Sequence, residues 1–506
     1  MEILYDDIIK ERVILRNDTQ TLVEGDIPLP DDRRNANILS TRASAAIGNV
    51  MLLENKVVYE GTVTFDFICA DMNGEAFSFK SEADFKHTAL CEGGKLLPDM
   101  SVKAESEAIV SDVNVFARDG FVSVSANVFI SSILMDKKPL KMVCGIDGEE
   151  LFLSKNKLDT SLVELADEQT VKLQEMINRE IDINTVVFSD GRAFIRGIQP
   201  QIGGAVIEGT LRVECMYLDS ENKLCAFSES IPFSEEMELD ETLTNIDIRA
   251  DVLSINVKSM GGEYTKSTAK VEAIVNMKFY KETKSELDAV NACYSISSNV
   301  APVTSDESIR VFYAIPEYRI SMRETLTMGE EDSGIYSLIG IISTPTVQES
   351  IADGTHISIS GIIHSDVIYL DEGGKLCSFS DDVPFSHEIN LPQQQESVVY
   401  DVLASAYATS DISGNGMRSV DVSYTLYITS KVIGSIGESV VIGIDEDSTN
   451  KNDDFSGNKG IVIYFTGDNE TGFDIAKRFN MRVEDANPEK IRNGKLVMFM
   501  GKTPSD

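Results

Sequence analysis

The chain has no tryptophan in 506 residues, which weakens any reading as a broad sugar-stacking surface. It has only 4 histidines and no H-x-x-x-H pair, so an imidazole-based metal site lacks its usual ligands. Its seven cysteines, Cys69, Cys91, Cys144, Cys215, Cys225, Cys293 and Cys377, are odd in number, scattered and without a C-x-x-C pair. That usage fits reduced thiols in a cytosol better than a disulfide framework. There is no run of 18 apolar residues, so no transmembrane helix is expected. The opening "MEILYDDIIKERVILRNDTQ" lacks a basic stretch followed by an apolar one, so no secretion signal is expected. No G-x-x-x-x-G-K-[ST] loop occurs, and "SMGGEYTKS" has the wrong spacing for one. Basic residues are the scarcest class relative to their opposites: 45 against 83 acidic, a net charge of −38. Such a body repels nucleic acid and anionic lipid, and its acidity serves solubility or draws a basic partner. These absences together predict a soluble, cytoplasmic protein without a nucleic-acid partner.

What is present is ordinary globular material, 42% hydrophobic and 25% charged, long enough for three to five units at about 100–200 residues each. One stretch returns. "YLDEGGKLCSFSDDVPFS", from Tyr369, shares 11 of 18 residues with "YLDSENKLCAFSESIPFS", from Tyr217, and "CADMNGEAFSFKSEADFK", from Cys69, is a fainter third copy. Aligned on Asp71, Asp219 and Asp371, the copies place Gly61, Gly209 and Gly361 ten residues earlier. Phe79, Phe227 and Phe379 follow eight residues later, and Phe85, Phe233 and Phe385 fourteen later. The glycine spacings of 148 and 152 mark a domain-sized duplication rather than a solenoid, whose units run to about 20–50 residues.

Each copy reads as β-structure. "GTVTFDFICA" and "GTLRVECMYL" alternate and are rich in β-branched and aromatic residues, and polar turns follow at Asn73-Gly74, Glu221-Asn222 and Gly373-Gly374. Longer hairpins come next, with turns expected at Asp119-Gly120, Gly261-Gly262 and Gly414-Asn415-Gly416, where positive φ is cheap. The expected fold class is mainly β, with three antiparallel sandwich or open-barrel-like repeats over 1–157, 158–285 and 286–444. Residues 445–458, "DEDSTNKNDDFSGN", read as an acidic linker. The remainder, 459–506, carries 8 basic and 7 acidic residues, a charge of +1, which leaves −39 on the rest. It reads strand, helix, helix, strand: "IVIYF", then "TGFDIAKRF" with Phe473, Ile475, Ala476 and Phe479 along one face, then "RVEDANPEK", then "NGKLVMFM". A βααβ unit of this size has a small core.

The order "YFTGD", "FDIAKRFNMRVEDANPE", "GKLVMF" resembles a LysM domain, although "NETGF" is a longer step into the first helix and "VEDANPE" a shorter second segment than the family pattern. The repeats resemble SPOCS domains of Gram-positive endospore formers, through "VEGDIPLPDD", "ILSTRASAAI", "KVVYEGTV" and the "Y-L-D…PFS" segment. Several SPOCS-like copies ahead of one LysM-like domain are similar to the SipL-type family of spore coat morphogenetic proteins. The resemblance implies a coat-assembly role at the forespore surface of the mother cell and docking onto the coat ATPase SpoIVA through the LysM-like domain. LysM domains also bind peptidoglycan-type glycans, so recognition of cell wall or spore cortex stays open.

Each candidate site has a bland reading beside the chemical one. Cys377 and Cys225 share "KLC", but Phe77 stands there in the first copy, which favours burial over nucleophilic use. His387 matches His87 and Glu235, the pattern of a solvated strand position. Asp71, Asp219 and Asp371 suit a hydrogen-bonding turn starter. Asp381-Asp382 has no paired carboxylates in the other copies. Gly61, Gly209, Gly361, Phe79, Phe227, Phe379, Phe85, Phe233 and Phe385 are read as structural, the phenylalanines as core. No catalytic residue, metal or cofactor is expected. The residues read as partner-binding are Gly467, Asp468, Phe473, Ile475, Lys477, Arg478 and Arg482, an apolar face with a basic rim. The β-units are expected to self-associate or to pave a surface.

Overall fold

Runs of alternating apolar residues between polar turns form strands, and in the computed structural model these are long. The structure describes residues 2–30, 33, 35–90, 102–118, 120–147, 151–177, 181–238, 246–260, 268–296, 299–314, 316–330, 332–352, 356–391, 398–447, 460–465, 470–486 and 495–500. The first part contains β1 (Glu2–Pro28), β2 (Asn37–Leu53), β3 (Lys56–Ala70), β4 (Ala76–Leu90), β5 (Val102–Arg118) and β6 (Phe121–Asp147). The second contains β7 (Leu151–Ile177), β8 (Thr185–Gln201), β9 (Gly204–Leu218), β10 (Leu224–Glu238), β11 (Ile246–Met260) and β12 (Thr268–Ser295). The third contains β13 (Asn299–Ala314), β14 (Glu317–Thr327), β15 (Ser337–Ala352), β16 (His356–Leu370), β17 (Leu376–Asn390), β18 (Val398–Asn415) and β19 (Ser419–Asp447). The C-terminal module has β20 (Gly460–Phe465), α1 (Gly472–Arg478), a 3-10 turn at Val483–Ala486 and β21 (Lys495–Met500).

All pairing is antiparallel. Each part makes a three-stranded meander, β2-β3-β4, β8-β9-β10 or β15-β16-β17, and a second sheet, β1-β6-β5, β7-β12-β11 or β13/β14-β19-β18. The two sheets of a pair enclose their own core. In the first pair, Tyr59, Val63, Phe65, Phe67 and Cys69 of β3 share a core with Val122, Val124, Ala126, Val128 and Ile130 of β6, every second residue with Gly61 filling the gap in β3. The sheets stay open, and none of them closes into a barrel.

Halfway along, each long strand pair is interrupted. The register shifts at Val13/Leu15 in β1 and opposite Phe279/Tyr280 in β12, and in the third pair Pro316 separates β13 from β14. Pro has no backbone N–H to continue the ladder. Beyond these points β1 with β6, β7 with β12 and β13 with β19 continue as ribbons, which pack on one another through Val143, Val290 and Val441, and through Leu140, Ala289 and Val440. The divisions expected at 157/158, 285/286 and 444/445 therefore fall inside β7, β12 and β19, whose ends continue into the packed ribbons. Asp445 to Asp447, expected as linker, complete β19 opposite Ala301, Val300 and Asn299. The rest of the expected linker lies outside the described residues.

The meanders meet on a second common core. Ile68, Met216 and Ile368, each three residues before its turn aspartate, share it with Ala76, Leu224 and Leu376, each five after. These matched positions bring the three meanders together on one shared core. β4 lies beside β8, β10 beside β15, and β17 beside β2, which completes the circle.

Candidate functional site

The recurrent stretch is a turn and the glycine-aromatic pair next to it. Asp71 Oδ1 accepts from the backbone N–H of Asn73 (2.8 Å) and Glu75 (2.9 Å). Asp219 does the same for Glu221 and Lys223, and Asp371 for Gly373 and Lys375. The fourth residue of each turn, Gly74, Asn222 or Gly374, has positive φ. These carboxylates are occupied by backbone donors. Gly61, Gly209 and Gly361 pair directly with Phe85, Phe233 and Phe385 on the next strand. Each ring fills the space over its glycine, since a Cβ on Gly209 would lie 2.2 Å from Phe233 Cζ. Phe227 and Phe379 are buried, and Phe79, less enclosed, stacks on Phe67 at 4.7 Å.

Several expectations shift. The third hairpin turns at Gly416 to Arg418, closed by Gly416 N donating to Ser419 O, while Gly414 lies at a register shift in β18. Asp119, Gly261 and Gly262 lie outside the described residues. The position of His87 and His387 is half-buried rather than solvated, because it faces the edge strand of the opposite sheet. His87 Nε2 hydrogen-bonds with Thr19 Oγ1 at 2.7 Å, and the His387 ring lies 5.3 Å from that of Tyr318. Cys225 and Cys377 are half-buried, where Phe77 is buried. The six described cysteines are free, and burial pushes the Cys69 and Cys215 thiols up to about 12, far from thiolate chemistry.

A polar layer lies over the common apolar core, and the sequence reading passed over it. Five residues before each turn aspartate is a carboxylate: Asp66, Glu214 and Asp366. Asp366 and the residues around the other two meet groups from other sheet pairs, while Asp66 pairs with Lys80 on its own meander. Arg42 Nη1 lies 2.5 Å from Asp190 Oδ2, Ser40 donates to Asp366 Oδ2 at 2.6 Å, and Arg212 Nη2 lies 3.1 Å from Asp411 Oδ1. Glu214 is held up to about 7, first by burial and then by Asp190, against the pull of Arg212 and Arg42.

A cleft of about 370 Å³ between the third and first sheet pairs holds His364, Asp366, Asp382, Ser40 and Ser380. It is the place where a hydrolase triad would be sought. Here both serines donate to Asp366, at 2.6 Å each, rather than to the imidazole. His364 lies between Asp366 (3.3 Å) and Asp382 (2.6 Å) and is raised to about 9, chiefly by its hydrogen bond to Asp366. An imidazolium at neutral pH cannot take a proton from serine. Among the described residues no group of three or more His, Cys, Asp or Glu is placed to hold a metal, and no helix is long and apolar enough to cross a membrane.

The C-terminal module is the other candidate. Thr471 caps α1: its Oγ1 accepts from Asp474 N, and Asp474 Oδ2 accepts from Thr471 N at 2.9 Å. The Asp474 carboxyl is held below its ordinary range, first by the Thr471 hydroxyl, which donates to its Oδ2 at 2.7 Å, and then by Thr471 N. Ile475, Ala476, Phe479 and Ala486 are buried together with Tyr294, which belongs to β12. The Tyr294 ring lies 5.1 Å from Phe473, edge to face, and stacks on Phe152 at 5.1 Å. Its hydroxyl, pushed up to about 12 by burial, stays protonated and donates to Met481 O at 2.8 Å. Of the residues read as partner-binding, Ile475 is fully buried and Phe473 packs on Tyr294. Lys477, Arg478 and Arg482 are exposed, and Arg478 also pairs with Glu470 at 3.1 Å. Gly467 and Asp468 lie outside the described residues.

A family model described as SipL, SPOCS domain, matches residues 182–260. That range covers the second meander and β11, including Gly209, Asp219, Phe227 and Phe233. No curated protein and no solved structure matches the chain.

Proposed function

We propose that this chain is a non-enzymatic adaptor of spore coat assembly, working in the mother cell at the forespore surface. The observation that carries the reading is the SPOCS match over residues 182–260, on a stretch whose turn and glycine-aromatic geometry occurs three times. In this reading the three sheet pairs are SPOCS-like units joined into one body, and residues 459–506 are a LysM-like module. The module captures a protein partner, a SpoIVA-like coat ATPase, while the body self-associates or paves a surface through contacts that are individually weak and add by effective concentration. The cleft beside His364 does not assemble a Ser-His pair, since both of its serines donate to Asp366.

The test compares the full chain with a chain ending at Asp447, each offered the SpoIVA-like ATPase of the same organism and, separately, purified peptidoglycan. Saturable binding of the full chain to the ATPase, lost on truncation, is the expected result. Normal binding by the truncated chain would reverse the assigned polarity. Binding to peptidoglycan alone would move the chain to glycan recognition.

A further inference from the structure

The C-terminal module borrows part of its core from the body. Ile475, Ala476, Phe479 and Ala486 form a small cluster that is completed by Tyr294 and flanked by Phe152 and Ile296. Two polar contacts reinforce it: Tyr294 Oη donates to Met481 O, and Asn480 Nδ2 donates to Ile296 O at 3.4 Å. The acceptor also sits beside the point where the chain leaves the body. Asp447, the last residue of β19, pairs with Asn299, three residues after Ile296. Residues 448–459 then connect to β20. At about 3.3–3.6 Å per residue, 12 residues reach at most roughly 40 Å, so the module stays at high effective concentration over this acceptor yet has chain enough to leave it.

We propose that this contact is a latch in cis: Phe152, Tyr294 and Ile296 hold the module by the face that carries Phe473, so capture of a partner through that face requires release. The inference rests on the adaptor reading for the identity of the partner, and on the packing alone for the latch. Docked and released forms are two states of one chain. A ligand that binds only the released form has its affinity reduced by the released fraction. The body therefore lowers the module's apparent affinity as well as carrying it.

The absence of tryptophan supplies the assay. In an F152W chain the introduced indole is the sole tryptophan and lies next to Tyr294. Acrylamide quenching is compared between the full F152W chain and the same chain ended at Asp447. Weaker quenching in the full chain is expected, and equal quenching in both overturns the latch. Binding is then measured for the full-length parent, Y294F and Y294A chains on the SpoIVA-like ATPase. A docked fraction of about nine in ten raises the apparent Kd about tenfold, so Y294A should bind about tenfold more tightly and Y294F should fall between. Unchanged affinity in Y294A, with the parent docked by quenching, overturns the gating. Absence of ATPase binding by all three chains overturns the adaptor reading and the gating with it, while the quenching result still decides whether the module docks.

Discussion

Glycine at the middle of β3, β9 and β16 answers a need of space rather than of backbone angle. A Cβ on Gly361 would lie 2.1 Å from the Thr346 carbonyl oxygen and 2.7 Å from Phe385 Cζ, and the carbonyl belongs to a paired strand that cannot move aside. Gly361→Ala should lower stability by about 1–3 kcal/mol through overpacking, and Phe385→Ala by about 3–5 kcal/mol through a cavity. The double variant should lose less than the sum, because one of the two clashes goes with the ring. Urea midpoints of the four chains would show this, and strict additivity would mean that the ring and the glycine do not share the space. Glu214 gives the second prediction at this scale. Its carboxyl rises from an ordinary 4.5 to about 7 in the folded chain, so the folded state binds more protons than the unfolded one between those values. Stability then falls as pH rises through that window and levels off above it. Glu214→Gln should stabilise the chain at pH 8 by on the order of 1–3 kcal/mol, with the advantage gone below pH 4.5; thermal melts at both pH values check it. The turn aspartates and glycine-phenylalanine offsets were legible because all their partners lie on the same or the next strand. Glu214 and Asp366 recur as plainly, but Arg42 near Glu214 and Ser40, which donates to Asp366, come from another sheet pair. No local pattern indicates those.

The hairpins and meanders could be read as elements, since alternation and turn chemistry are local properties. Their extent could not. The central strands β6, β12 and β19 run for 27, 28 and 29 residues, well past the sandwich that the repeat pattern describes, because their far halves are buried by the other ribbons. The displaced third turn has a similar origin: Gly414, Asn415 and Gly416 all suit a turn, and the register set by Asp421 opposite Gly414 selects Gly416 to Arg418. In the C-terminal module the helix was legible from its apolar face, and its start is fixed by the reciprocal Thr471 and Asp474 bonds. With only 7 residues α1 has little stability of its own. Thr471→Ala should weaken the helix by about 1 kcal/mol, seen as faster amide exchange across Gly472 to Arg478. Unchanged exchange there would mean that packing on Tyr294, rather than the cap, sets the helix.

At the scale of the whole chain, three sheet pairs with separate cores are joined twice, by a common core at the meander ends and by the packed ribbons. The residues that make the common core carry a faint sequence signal. At the ends of β3, β9 and β16 the alternation gives way to consecutive apolar residues, "FICA", "MYL" and "VIYL", which is what a strand buried on both faces requires. In a single sandwich the same run reads as ordinary core, so the joined arrangement stayed hidden while the duplication was plain. This arrangement predicts how the molecule melts. Ile368 is fully buried between the three meanders and outside the core of its own sheet pair. Ile368→Asp places a charge there with no partner, which is strongly unfavourable for the junction, yet it removes nothing from the three separate cores. Scanning calorimetry of the parent should show the sheet pairs unfolding together, and the I368D chain should show them parting into several transitions, with the second and third pairs keeping melting temperatures of their own. A single transition in I368D at the parental temperature would mean that the common core couples nothing. The coupling would then reside in the packed ribbons, through Val143, Val290 and Val441.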